Sequence, residues 1–190
     1  MFSVSVNGKR SEELRVIAGN CRGRKLNTPA DDAVRPTTDM VKEALFSSLQ
    51  FELEGACVLD LFAGSGQLSI EALSRGATRA VMCDCSKDSV RLIKSNLAVC
   101  GLHAEVVLTD SLQYLKQCEE KFDIALLDPP YATGLLQKAL PAVSLVMNEN
   151  GVIVAECPFG EAVPESLENG FSEVKNKKYG SMCLHYYRKG

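Results

Sequence analysis

The stretch ACVLDLFAGSGQLSIEALSRGATRAVMCD, residues 56–84, decides the fold. ACVLDL (56–61) is an apolar run of strand length closed by an acid. A glycine-bearing turn follows it. QLSIEALSR (67–75) then places Leu68, Ala72 and Leu73 on one helical face, and RAVMCD (79–84) is a second apolar strand ending in an acid. Two such strands joined by a helix form a βαβ unit, which in one sheet means parallel pairing.

The same alternation continues toward the C-terminus. KDSVRLIKSNLAVC (87–100) reads as a helix with Val90, Ile93 and Leu97 inward and Lys87, Arg91 and Lys94 outward. AEVVLTD (104–110), FDIALLD (122–128) and GVIVAEC (151–157) read as strands. SLQYLKQC (111–118) and GLLQKALPAVSLV (134–146, with a proline inside) read as helices. SEVKNKK (172–178), Tyr179-Gly180 and SMCLHYYRK (181–189) predict a terminal antiparallel hairpin. The fold class is α/β: a doubly wound, mostly parallel sheet with helices on both faces.

Upstream, LRVIAG and GRKLNTP read as two short strands joined by NCRG. The helix MVKEALFSSL (40–49) follows, with Thr38 as its N-cap and Asp39 at the positive end of its dipole. The chain divides into a basic N-terminal extension, 1–54, packed on a main domain, 55–190.

Composition sets limits. The 190 residues are 46% hydrophobic and 24% charged, ordinary globular values. No uncharged run exceeds about ten residues, half of what a membrane helix needs. MFSVSVNG lacks a signal peptide's charged front, so a soluble, cytoplasmic protein is expected. Eight scattered cysteines without a CxxC pair, and only two histidines, give no basis for a metal site. Net charge is −3, yet Arg15, Arg22, Arg24 and Lys25 lie in an acid-free stretch. Lys175, Lys177, Lys178, Arg188 and Lys189 crowd the last twenty residues beside Glu173 alone. Each cluster is either a solvated surface or a contact for an acidic partner.

Four aspartates close four successive strands: Asp60, Asp84, Asp110 and Asp128, at intervals of 24, 26 and 18 residues. The loop Asp60-Leu61-Phe62-Ala63-Gly64-Ser65-Gly66 can turn tightly against a ligand. The dinucleotide fingerprint GxGxxG would need glycine where Ser69 stands. A carboxylate at Asp84 can accept both hydroxyls of a ribose, whereas Asp110 serves equally as helix cap or ligand contact. Asp128-Pro129-Pro130-Tyr131 forms a rigid platform after a buried strand. In a doubly wound sheet the first and fourth strands are neighbours, so this platform is expected beside the glycine loop.

The acid and glycine loop resembles the S-adenosylmethionine loop of class I methyltransferases. Asp128 to Tyr131 resembles the platform of enzymes that methylate exocyclic amino groups of nucleobases. Together, RVIAGNCRGRKLNTP, RPTTDMVKEALF, VLDLFAGSGQLSIEALSRGA and DPPY resemble the RsmD family, which methylates guanine N2 in 16S ribosomal RNA. The resemblance implies a seven-stranded Rossmann-like fold, S-adenosylmethionine as cofactor, and 16S rRNA, free or within a small ribosomal subunit, as partner of a monomer. It implies that Phe62, Ala63, Gly64, Ser65, Gly66, Asp84, Asp110 and Ser111 line the cofactor site, with Thr37 and Thr38 at its methionine end. Arg35 and the Arg15–Lys25 hairpin would approach RNA phosphates. Asp128, Pro129, Pro130 and Tyr131 would be catalytic, with Glu71 and Arg75 structural. Gln67 and Ser69 stand where smaller residues are usual, and Cys85 has no evident counterpart.

The residues leave three rivals open. An adenine-N6 DNA methyltransferase would need room for a target-recognition insertion, and the motifs leave none. An NAD-dependent oxidoreductase conflicts with Ser69 and with DPPY. A catalytically dead RNA-binding module conflicts with the intact Asp60, Gly64, Gly66 and DPPY.

Overall fold

The computed structural model describes residues 14–28 and 39–190. Seven strands form one sheet in the order β3-β2-β1-β4-β5-β7-β6. β1 (Cys57–Asp60), β2 (Arg79–Asp84), β3 (Glu105–Leu108), β4 (Phe122–Leu127) and β5 (Met147–Pro158) run parallel. β7 (Met182–Lys189) is antiparallel to both β5 and β6 (Phe171–Tyr179). The sheet is therefore mixed, mostly parallel, with a terminal antiparallel hairpin.

The central strands are apolar on both faces because helices cover both. On one face, α1 (Asp39–Ser48), α2 (Gln67–Ser74) and α3 (Lys87–Cys100) bury Phe46, Ile70 and Ile93 against Val58, Met82 and Leu126. On the other, α4 (Ser111–Gln117) and α5 (Leu135–Ser144) bury Leu115, Leu140 and Val143 against Leu59, Val81 and Ile153. α3 starts where Ser86 accepts hydrogen bonds from the Asp88 and Ser89 amides, a cap worth about 1 kcal/mol. It stops at Gly101, whose φ of 65° few other residues adopt.

One element departs from expectation. β5 begins at Met147 rather than residue 151, because Met147 pairs with Phe122 across an irregular register before the regular ladder from Val152. The N-terminal arm folds back on itself over a short span: Arg15 bridges Lys25 in antiparallel fashion, and the Val16 and Leu26 amides donate to the Arg24 and Leu14 carbonyls. Side chains of the main domain hold this pair in place. The buried carboxylate of Glu71 accepts the Ile17 and Ala18 amides at 2.7 and 3.0 Å. Ser74 Oγ accepts the Cys21 amide, and Asn96 Oδ1 accepts the Asn27 amide. Leu14, Val16, Cys21 and Leu26 then join the core. Arg75, 2.7 Å from Glu71 and stacked on Phe46, completes this anchor.

Of the eight cysteines, all free, four are buried and only Cys85 is exposed. Burial pushes the Cys83 and Cys157 thiols up to about 12, which keeps them protonated. No helix among the described residues is long and apolar enough to cross a membrane.

Candidate functional site

β1 and β4 are adjacent, with Asp60 level with Leu126. The loop after β1 and the loop after β4 therefore leave the sheet side by side, at the switch point where open α/β sheets bind ligands. A cavity of about 610 Å³ opens there, within the usual range for small-molecule sites. Asp84, Asp110 and Ser111 line it toward β2 and β3, and Asp128, Pro129, Pro130 and Tyr131 line it beyond β4.

The glycine loop is fixed from three directions. Ala63 N–H donates to the Cys83 carbonyl, Gly64 N–H to Asp84 Oδ2 at 2.9 Å, and Asn96 Nδ2 to the Ser65 carbonyl at 2.8 Å. Gly66 has φ of 80°, and a Cβ there would sit 2.6 Å from the Met82 methyl, so the turn needs glycine twice over. Phe62 and Gly64 face the cavity. Asp60, Ala63, Ser65 and Gly66 are not on its wall.

Asp84 is the best placed acid. Its Oδ1 accepts the Ser86 amide at 2.8 Å and its Oδ2 the Gly64 amide, leaving each oxygen one further acceptor position. Asp110 combines both readings of its position: Oδ1 caps α4 by accepting the Leu112 and Gln113 amides, while the residue lines the cavity.

Asp60 lies wholly buried beneath the loop. Burial foremost pushes its carboxyl up to about 7, with Asp128 and Asp84 adding repulsion, against a stabilising hydrogen bond from Ser69. That bond, 2.9 Å from Ser69 Oγ to Asp60 Oδ2, gives Ser69 a role where sequence showed only a missing glycine. Sequence reading also missed Leu61, Cys85, Ser86, Ser89, Thr109 and Leu135 on the cavity wall. Ser86 and Ser89 could have been found as the residues that follow a strand-end acid into a helix N-terminus.

On the arm, Arg15 is exposed and pairs with Asp39 at 3.0 Å, and Arg22, Arg24 and Lys25 are exposed. None of the four lines the cavity. Arg35, Thr37 and Thr38, and with Thr38 the expected N-cap, lie outside the described residues. Among the described residues no group of three or more His, Cys, Asp or Glu side chains is placed to hold a metal ion.

The family model described as Conserved hypothetical protein 95 matches residues 14–188. Ribosomal RNA small subunit methyltransferase D of Escherichia coli K12 is 36% identical over 191 residues, covering 96% of this chain and 93% of that protein. Its Haemophilus influenzae namesake is 41% identical over 143 residues, covering 73% and 72%. Among solved structures, yhhF from Escherichia coli superposes with a TM-score of 0.83 at 30% identity, covering 93% of this chain and 98% of that one. A hypothetical protein from Thermus thermophilus does so with 0.77 at 28%, covering 93% and 99%.

Proposed function

The chain belongs to the family described as Conserved hypothetical protein 95, the RsmD family, and from that membership we propose that it methylates guanine N2 in 16S ribosomal RNA using S-adenosylmethionine. One observation carries the reading. A single cavity has a ribose-competent carboxylate, Asp84, on one wall and the Asp128–Tyr131 platform on another. A methyl donor and a base held by these groups share one enclosed space, which proximity catalysis requires.

The fit to the cofactor rests on the donor set. Asp84 keeps acceptor positions for two hydroxyls, and α4 begins beside it with Ser111 on the wall. When bound, the cofactor supplies an electrophilic methyl on its sulfonium. The chain's own residues do the rest. The guanine amino group is a poor nucleophile because its lone pair is delocalised into the ring. Asp128 and the Pro129 carbonyl accept its N–H bonds and so help localise that lone pair. Tyr131, 43% exposed beside them, stacks on the base and fixes its plane. Asp128 or water takes the released proton. A guanine held in RNA structure must first swing out of its stack.

The cellular test is a map of modified guanines in 16S rRNA from cells with and without this gene. The reading expects one N2-methylguanosine to vanish on deletion and to return with the intact gene, but not with Asp128→Ala. Unchanged maps would contradict it.

A further inference from the structure

The C-terminal lysine cluster has no part in the site just described, yet the register brings half of it to the same edge of the sheet. Leu127 of β4 is level with Ala155 of β5, which is level with His185 of β7 and through it with Asn176 of β6. Lys177 and Lys178 follow Asn176 as Asp128 and Pro129 follow Leu127. They stand three strand spacings away, about 14 Å.

Between them lies Phe159, just past the end of β5. Its amide donates to the Ser181 carbonyl at 2.8 Å, fixing it to the hairpin tip, and Gly160, with φ of 91°, turns the chain away. Phe159 is 58% exposed, and Lys178 Nζ lies 3.7 Å from its ring centroid. Lys177, next along the strand, points to the opposite face and lies over Tyr179. Among the described residues no carboxylate lies within 4.0 Å of either ammonium. The nearby acids are engaged: Glu173 with His185 and Asn176, and Glu161 with Gln137. Tyr131, Phe159 and Lys178 thus succeed one another along the cavity edge.

Building on the RNA reading of the cavity, we infer that Phe159 and Lys178 form a second RNA subsite for nucleotides flanking the target. A flanking base stacks on Phe159, and Lys178 holds its phosphate. Exposed aromatics beside cations that lack carboxylate partners are what single-stranded RNA binding uses. A phosphate also offers Lys178 a stronger partner than the ring it now covers, freeing that face for a base. The simpler alternative is edge protection, since exposed lysines stop an open edge strand from pairing with another chain. It explains the lysines on β6 but not an exposed phenylalanine fixed beside them.

The test measures fluorescence anisotropy of a short labelled single-stranded RNA of mixed sequence across a salt series. Lys178→Gln should flatten the log-affinity against log-salt slope by about 0.7, the value of one lost phosphate contact. Phe159→Ala should weaken binding about five- to a hundredfold with the slope unchanged, and Phe159→Tyr should restore it. S-adenosylmethionine affinity, measured by calorimetry, should match wild type in each. RNA affinities and slopes equal to wild type, with light scattering showing self-association of the lysine variant, would leave edge protection as the explanation and overturn the subsite alone. A wild-type protein that bound neither this RNA nor 16S rRNA would overturn the RNA reading with it.

Discussion

Asp84 and Asp60 are two buried-edge carboxylates with opposite assignments, set by their surroundings. Asp84 is oriented by two backbone amides and faces the cavity. Asp84→Ala should weaken S-adenosylmethionine binding by ~1.5–3 kcal/mol for each charge-assisted bond lost, read by titration calorimetry; NADH should not compete. Asp60 has no open face, and its carboxyl is pushed from 3.8 up to about 7. Between those values the folded chain keeps a proton that the unfolded chain has released. Its contribution is fully present below about pH 4 and is lost as pH rises through about 7. Urea denaturation across that window should show wild type losing stability relative to Asp60→Asn, which keeps an acceptor for Ser69 without the charge. Parallel pH profiles would remove Asp60 from the account. The acids at strand ends were legible in the sequence because their type and spacing carry the information. Ser69 and Asn96 were not, because their partners, Asp60 across a turn and Asn27 and Ser65 from other elements, are fixed only by tertiary packing.

Strands β1, β2 and β4 and helix α3 were readable because apolar runs and a clear 3.6-residue period report burial directly. The paired segments of the N-terminal arm were legible too, but not what holds them to the main domain. The Ile17, Ala18, Cys21 and Asn27 amides go to Glu71, Ser74 and Asn96, and no local pattern encodes partners some fifty to seventy residues away. That dependence is testable. Glu71→Ala removes the acceptor for Ile17 and Ala18 and leaves Arg75 without its carboxylate, so the arm should detach before the sheet melts. Hydrogen exchange should show the amides of residues 16–26 losing protection while those of β1 and β4 keep theirs. Uniform loss across both would mean the arm is not a separate unit. Gly66→Ala acts on the neighbouring turn. It places a side chain at φ 80° and against Met82, and should cost ~1–3 kcal/mol in backbone strain alone, measured by the shift in denaturation midpoint.

At the scale of the whole molecule, an acidic chain keeps its arm arginines exposed, with Arg22 in the turn and Arg15 and Arg24 on the segments either side, over helices α2 and α3. Arg22→Glu with Arg24→Glu should weaken RNA binding and flatten its salt dependence, because fewer counterions are released, with cofactor affinity unchanged. Equal RNA affinity at every salt concentration would return these arginines to ordinary solvated surface. Topology was legible at this scale, since four strand-end acids on alternating βα units suit the Rossmann strand order, which places β1 beside β4. The level at which the C-terminal hairpin meets the cavity edge was not, because strand register depends on pairing that spacing alone does not set.

The most direct measurement is single-turnover transfer of labelled methyl from S-adenosylmethionine to 16S rRNA lacking the modification, followed by digestion to nucleosides. Label should appear in N2-methylguanosine. Asp128→Ala, folded by circular dichroism and still binding cofactor, should lose most of the transfer, with kcat and kcat/KM falling together. Label in N6-methyladenosine, no transfer by the wild-type protein, or near-normal transfer by Asp128→Ala would contradict the account.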